Sequence, residues 1–142
     1  ALHASAVYPA AITSENFAEM KLKSISYETR ITPSDTSGVY SYYEVKNTDN
    51  IYLACNFDFK NLKTEAGTKL GDFLSFQVTY EGGYTYTGWT VAEDSNYLSQ
   101  YPNLLPLSSY NSWCVMEVPK SLQNTPYTLT VTINGKEYQL EN

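Results

Sequence analysis

The sequence predicts an all-β fold, a two-layer antiparallel sandwich of about eight strands. Three observations predict it. Apolar and polar residues alternate along much of the chain, at the period of half-buried strands and not of a helix. Turn-forming clusters recur at short intervals between those runs. Tyrosine, a strand former with an apolar body and a polar tip, occurs fourteen times, against five phenylalanines and two tryptophans.

Residues 1–16 are small and apolar without a charged n-region or a long apolar stretch, so they are not an intact signal peptide. They are expected to form a flexible N-terminal segment, the remnant of a leader, ahead of a single domain over 17–142. The first strand spans Phe17 to Ile31. Met20 and Leu22 share one parity, and Ile25, Tyr27 and Ile31 the other. A slip of one residue would turn the apolar set to the wrong face, so a bulge or a change of sheet is expected near Ser24. Thr32-Pro33-Ser34-Asp35 starts a turn that runs through Gly38, and Val39 to Lys46 follows as a tyrosine-rich strand.

Asn47 to Asn50 is a polar turn. The clearest strand is Ile51 to Leu62. Ile51, Leu53, Cys55, Phe57 and Phe59 form its core face, and Tyr52, Ala54, Asn56, Asp58 and Lys60 its solvent face. Thr64 to Lys69 is a loop. Asp72 to Tyr80 and Tyr84 to Glu93 pair as a hairpin through Gly82-Gly83, where glycine admits positive φ. Asp94 to Asn111, with prolines at 102 and 106, is expected to be a loop, longer than most connections and therefore a candidate site. Trp113 to Val118 is a strand stopped by Pro119. Tyr127 to Ile133 and Lys136 to Leu140 close around Asn134-Gly135, the strongest two-residue hairpin signal.

Bulk properties narrow the function. The 142 residues suit one domain, and 42% hydrophobic with 17% charged residues is a globular composition. The net charge of −6 argues against nucleic acid and against attraction to an anionic membrane surface. No run approaches the ~20 apolar residues of a membrane-spanning helix.

The order of landmarks carries a resemblance. A strand ends in Phe59-Lys60-Asn61, and an aromatic hairpin spans Glu81 to Trp89. Leu105-Pro106 precedes the strand Cys114-Val115-Met116-Glu117-Val118-Pro119, and the last hairpin runs through Ile133-Asn134-Gly135-Lys136-Glu137-Tyr138. The chain resembles the small immunoglobulin-like domains of unknown function in Gram-positive bacterial lipoproteins and surface proteins. The mycobacterial immunoprotective extracellular antigen is a structural relative of that group. The resemblance covers roughly residues 17 to 141. It implies an immunoglobulin-like sandwich at a bacterial surface or outside the cell, and it brings no catalytic residue with it. Such domains follow a lipobox, or a membrane anchor after a short zinc ribbon. Neither is present in this sequence, so an anchor upstream is an open possibility.

No catalytic, metal-binding or cofactor-binding residue is expected. The one histidine, His3, lies in the N-terminal segment, which argues against Ser-His-Asp or Cys-His chemistry. Glu81, Glu93, Asp94 and Glu117 could converge as a hydrolytic carboxylate pair, but solvent-facing acids are the simpler reading. There is no CxxC, no calcium loop of alternating acids, and no phosphate loop at Gly82-Gly83. Cys55 and Cys114 both point inward. A disulfide between them and two buried thiols are both open readings, the first requiring directly opposed positions. An internal Lys–Asn crosslink, as in some bacterial surface sandwiches, is a further possibility.

The expected function is a non-catalytic extracellular interaction module for a protein or glycan partner. A carbohydrate-binding domain using surface tyrosines is the alternative. Tyr84, Tyr86, Tyr97 and Tyr101 are the candidate ligand contacts, since aromatic rings serve as anchors and stacking platforms.

Overall fold

The computed structural model describes residues 2–3 and 11–141. Its strands are β1 (Leu2–His3), β2 (Ala11–Ser14), β3 (Ala18–Glu28), β4 (Arg30–Ile31), β5 (Tyr43–Glu44), β6 (Asn50–Asn61), β7 (Leu74–Tyr80), β8 (Tyr84–Thr87), β9 (Trp89–Asp94), β10 (Tyr97–Ser99), β11 (Ser109–Pro119), β12 (Tyr127–Ile133) and β13 (Lys136–Glu141). One sheet has the order β1-β13-β12-β7-β8 and the other β10-β9-β11-β6-β3-β2, while β4 and β5 form a separate two-residue ladder. All pairings are antiparallel except β1 with β13. The fold is an all-β sandwich. No helix among the described residues is long and apolar enough to cross a membrane.

Alternation builds the interior. From one sheet, Met20, Leu22, Leu53, Cys55, Phe57, Phe59, Cys114, Met116 and Val118 face inward, and from the other Leu74, Phe76, Val78, Tyr80, Leu129, Val131 and Ile133. Phe57 meets Phe76 across the sheets at 5.3 Å between ring centroids, within the range of favourable aromatic pairs. The expected slip in β3 is a bulge. Leu22 pairs with Phe57 and Ser24 with Asn56, so Lys23 is the extra residue. The bulge turns Ile25 and Tyr27 inward after Met20 and Leu22, and Tyr27 Oη reaches Tyr80 Oη at 2.7 Å.

Gly88 resolves the second half of the aromatic hairpin. The expected strand from Tyr84 to Glu93 is two strands: β8 is the edge of one sheet and β9 lies inside the other. The chain changes sheets at Gly88, where it passes so close to β11 that a Cβ would stand 1.8 Å from the Val115 carbonyl oxygen. Only glycine allows that approach. The closing hairpin follows expectation, with Asn134 at φ 51° and Gly135 at φ 80°.

Four expectations are corrected. The N-terminal segment over 1–16 is not flexible at 11–14: β2 pairs with β3, and Ile12 belongs to the core. Residues 4–10 of that segment lie outside the described residues. The strand expected over Val39 to Lys46 shrinks to β5, because this stretch lies outside both sheets and Val39 is 80% exposed. The loop expected over Asp94 to Asn111 holds β10 and the start of β11. Finally, Tyr52 and Ala54, expected on a solvent face, are buried.

That last correction has one cause. Residues 29–45 fold back as a flap over the outer face of the six-stranded sheet. Beneath it lies a second apolar cluster of Ile31, Tyr52, Ala54, Val91, Leu98 and Val115, with Tyr43, Val45, Trp89 and Trp113 packed around it. Polar bonds also tie the flap down. Ser41 N donates to Asn96 O at 3.2 Å, Leu98 N to Ser41 Oγ at 2.7 Å, and Ser34 N to Glu93 Oε1 at 2.8 Å. Arg30 and Glu44 join β4 to β5 through a 2.8 Å bond from Nε.

Candidate functional site

The edge of the flap leaves a groove. It is lined by Tyr42, Tyr43 and Glu44 from the flap, Lys46 just after it, Tyr52 from β6, Trp89 from β9, Glu117 from β11, and Gln100, and it encloses about 460 Å³. A second basin of about 320 Å³ adjoins it. Its walls include Lys69, Ser75, Thr90 and Gly88, and it shares Trp89 and Gln100 with the first. Both volumes fall within the ~300–1,000 Å³ of small-molecule sites.

The sequence places Trp89 at this junction for a clear reason. It follows Gly88 at once, so the sheet change sets its indole on the outer face. There its ring lies 5.5 Å from Tyr43 and meets Tyr52 edge-on at 5.8 Å. Trp89 Nε1 is buried and finds no acceptor among the described residues. Trp113 Nε1, packed against the same outer cluster, is in the same state. Tyr42 is 48% exposed, with the Arg30 guanidinium 4.4 Å over its ring. Glu117 accepts a 2.7 Å bond from Asn50 Nδ2. Burial raises the Tyr52 phenol above its ordinary pKa, and Glu117, Tyr43 and Glu44 add to this.

The four tyrosines expected from the sequence are not brought together here. Tyr84 and Tyr86 lie on β8 at the edge of the other sheet, Tyr84 58% exposed and Tyr86 half-buried against Tyr80. Tyr97 begins β10, and Tyr101, 70% exposed, lies 5.9 Å from Lys69 Nζ. None of the four lines the groove. The groove tyrosines, Tyr42, Tyr43 and Tyr52, were read as strand surface. The one usable signal was their density around Glu44, because only the flap joins them to Trp89.

The candidate acids also separate. Glu93 belongs to a polar network, accepting from Ser34 and, at 2.8 Å, from Asn111 Nδ2. Asn111 Oδ1 in turn accepts from Asn56 Nδ2 at 2.9 Å and from Lys23 Nζ at 2.5 Å. Glu117 faces the groove together with Glu44. Lys23 with Asn111 is the pair in which a crosslink could form. Lys23 also lies 3.1 Å from Asp58 at a side-chain exposure of 36%. Among the described residues no group of three or more His, Cys, Asp or Glu is arranged to hold a metal.

Cys55 and Cys114 are directly opposed on β6 and β11, as a disulfide would require, but both are free thiols. The register explains why. Lys120 N donates to Asp49 O at 2.9 Å in the same frame. Stepping by twos along the ladder makes Cys55 and Cys114 a hydrogen-bonded pair. Side chains stand farther apart there than at the alternate positions, and disulfides need Cβ atoms only about 3.5–4.5 Å apart. Burial pushes the Cys55 thiol up to about 12, and burial and then Cys55 raise Cys114 well above its ordinary value. Neither is a ready nucleophile.

The Lys60-Asn61 landmark has a structural role. Asn61, fully buried, donates to Glu65 O and to Leu104 O, both at 2.9 Å, and accepts from Lys63 N. It thereby ties the loop after β6 to the loop before β11, which also bond each other through Gly67 and Leu104.

Comparisons place the fold among known structures. The chain matches an uncharacterized β-sandwich protein from Clostridium difficile 630 with a TM-score of 0.84 and 20% identity, over 94% of this chain and 89% of that one. It also matches a candidate lipoprotein from Bacillus subtilis subsp. subtilis str. 168 with a TM-score of 0.49 and 17% identity, over 92% of this chain and 37% of that one. No protein-family model matches the chain, and no curated protein does. The class defined in this way is the β-sandwich, and the first match extends it over nearly the whole chain. The link to the mycobacterial antigen gains no support from these matches.

Proposed function

We propose that this domain is a non-catalytic interaction module, displayed on or released from a bacterial surface, and that it binds through the groove beside Trp89. The observation that carries the reading is the groove itself. Four aromatic side chains, Tyr42, Tyr43, Tyr52 and Trp89, line it together with Glu44 and Glu117. Aromatic anchors beside a few fixed polar groups are the usual make-up of a binding site. The surface location is supported by the order of landmarks from Phe59 to Tyr138.

The test is co-sedimentation of the fluorescently labelled chain with the isolated envelope of a Gram-positive bacterium. Saturable binding, weakened about fivefold to tenfold by Tyr42→Ala, is the expected result. Absence of binding, or binding indifferent to that change, would remove the reading.

A further inference from the structure

We infer that the groove takes an uncharged polysaccharide strand, with Tyr42 and Trp89 as its platforms. This rests on the groove being the binding site, and adds the chemical class of the ligand.

Shape is the first argument. Two basins of about 460 and 320 Å³ share Trp89 and Gln100 in their walls, one against the outer face of the six-stranded sheet and the other reaching Leu74 and Phe76 of β7. A chain of repeating units fits such a pair better than one compact molecule.

The lining is the second. Aromatic faces alternate with side chains that hydrogen-bond at short range: Glu44, Glu117 and Gln100 around the first basin, Thr90 and Ser75 in the second. A pyranose ring presents an apolar face for stacking and a rim of hydroxyls that both donate and accept. Those hydroxyls need carboxylates and amides close to a ring plane.

Charge is the third. Glu44 and Glu117 oppose an anionic polymer, as does the net charge of −6. Lys46 and Lys69, one in each basin, oppose a cationic one. One face of the Tyr42 ring carries the Arg30 guanidinium, so the ring does not call for a cation from the ligand and stacking on it is confined to the other face.

Topology is the fourth, and it sets the glycan above an extended peptide. Peptides that bind to sheets join a free edge through main-chain bonds. The strands under the groove are interior ones: β9 lies between β10 and β11, and β6 between β11 and β3. β6 is laddered on both sides at Tyr52 and β9 on one side at Trp89, so recognition here rests mostly on side chains.

The experiment uses the whole chain and isolated Gram-positive envelope in two arms. One arm is treated with proteinase K, the other with mild periodate, which cleaves vicinal diols. The expected result is binding that survives the protease and is lost after periodate. Binding lost to protease and kept after periodate would overturn the glycan and leave the module reading intact. No binding to untreated envelope would overturn both. Trp89→Ala risks unfolding the flap, so Tyr42→Ala and Glu117→Gln are the informative variants, each expected to weaken binding about fivefold to tenfold. Tyr84→Ala, on the other sheet, should leave it unchanged, and an equal loss there would count against the groove. Release of new reducing ends from the envelope would overturn the non-catalytic assignment.

Discussion

The two faces of β6 are buried by different means. On the inner face, Phe57 and Phe59 are covered by the opposite sheet, which is held by long ladders such as β12 on β7. On the outer face, Tyr52 and Ala54 are covered by a flap whose only ladder is two residues long. Tyr52 and Ala54 are as buried as the inner face, yet the inner face is closed by the fold as a whole and these two by a short segment outside both sheets. Apolar burial gives both about the same stabilisation per unit area. What differs is how much of the molecule must unfold before that stabilisation is lost.

The largest expected effect tests the inner face. Phe57→Ala leaves a cavity opposite Phe76 and should destabilise the domain by about 3–5 kcal/mol in chemical denaturation. A loss near 1 kcal/mol would mean that the two sheets are as loosely joined as the flap.

Alkali tests the inner face without a substitution. The folded state keeps the Cys55 proton up to about pH 12, while the unfolded chain releases it from about 9. Cys114, Tyr80 and Tyr27 shift the same way. Stability from this source is therefore complete below pH 9 and falls as pH rises from 9 towards 12, by on the order of a few kcal/mol. Denaturation midpoints at a series of pH values would show it. A flat profile to pH 12 would contradict the burial of these groups.

The flap should respond less. Ile31→Ala removes a residue 2% exposed, a change that in a core costs about 2–5 kcal/mol. Here the loss is bounded by the free energy of opening the flap, and below about 2 kcal/mol is expected. Hydrogen exchange should quicken over 30–45 and stay slow in β12. Equal quickening in both would show that flap and sandwich are one cooperative unit. The smallest effect is Glu93→Gln, which weakens the bonds from Ser34 to an exposed carboxylate and should change stability by less than about 1 kcal/mol.

The same contrast explains what could be read from the sequence. The inner face was legible because alternation is a local property. Ile51 to Phe59 announced their face, and the parity slip near Ser24 located the bulge at Lys23. The closing hairpin was legible because Asn-Gly encodes its own backbone geometry. The outer cluster was not legible. Tyr52 and Ala54 have the period of a solvent-facing set, and only a segment with no clear pattern of its own covers them. The groove was missed for that reason: it is made where the flap ends against Trp89. The position of Trp89 was hidden too, because parity counted through Gly88 assumes a strand that stays in one sheet.

Gly88 has a consequence for ligand linkage. The strand that carries Trp89 begins where the chain leaves one sheet for the other, so a ligand gripping the indole holds a segment common to both layers. The flap side of the groove lends it only local stability. Occupancy should therefore raise the midpoint of global melting as RT ln(1 + [L]/Kd), and not merely quiet residues 29–45. A thermal scan of the intact chain can in this way report a ligand whose identity is unknown.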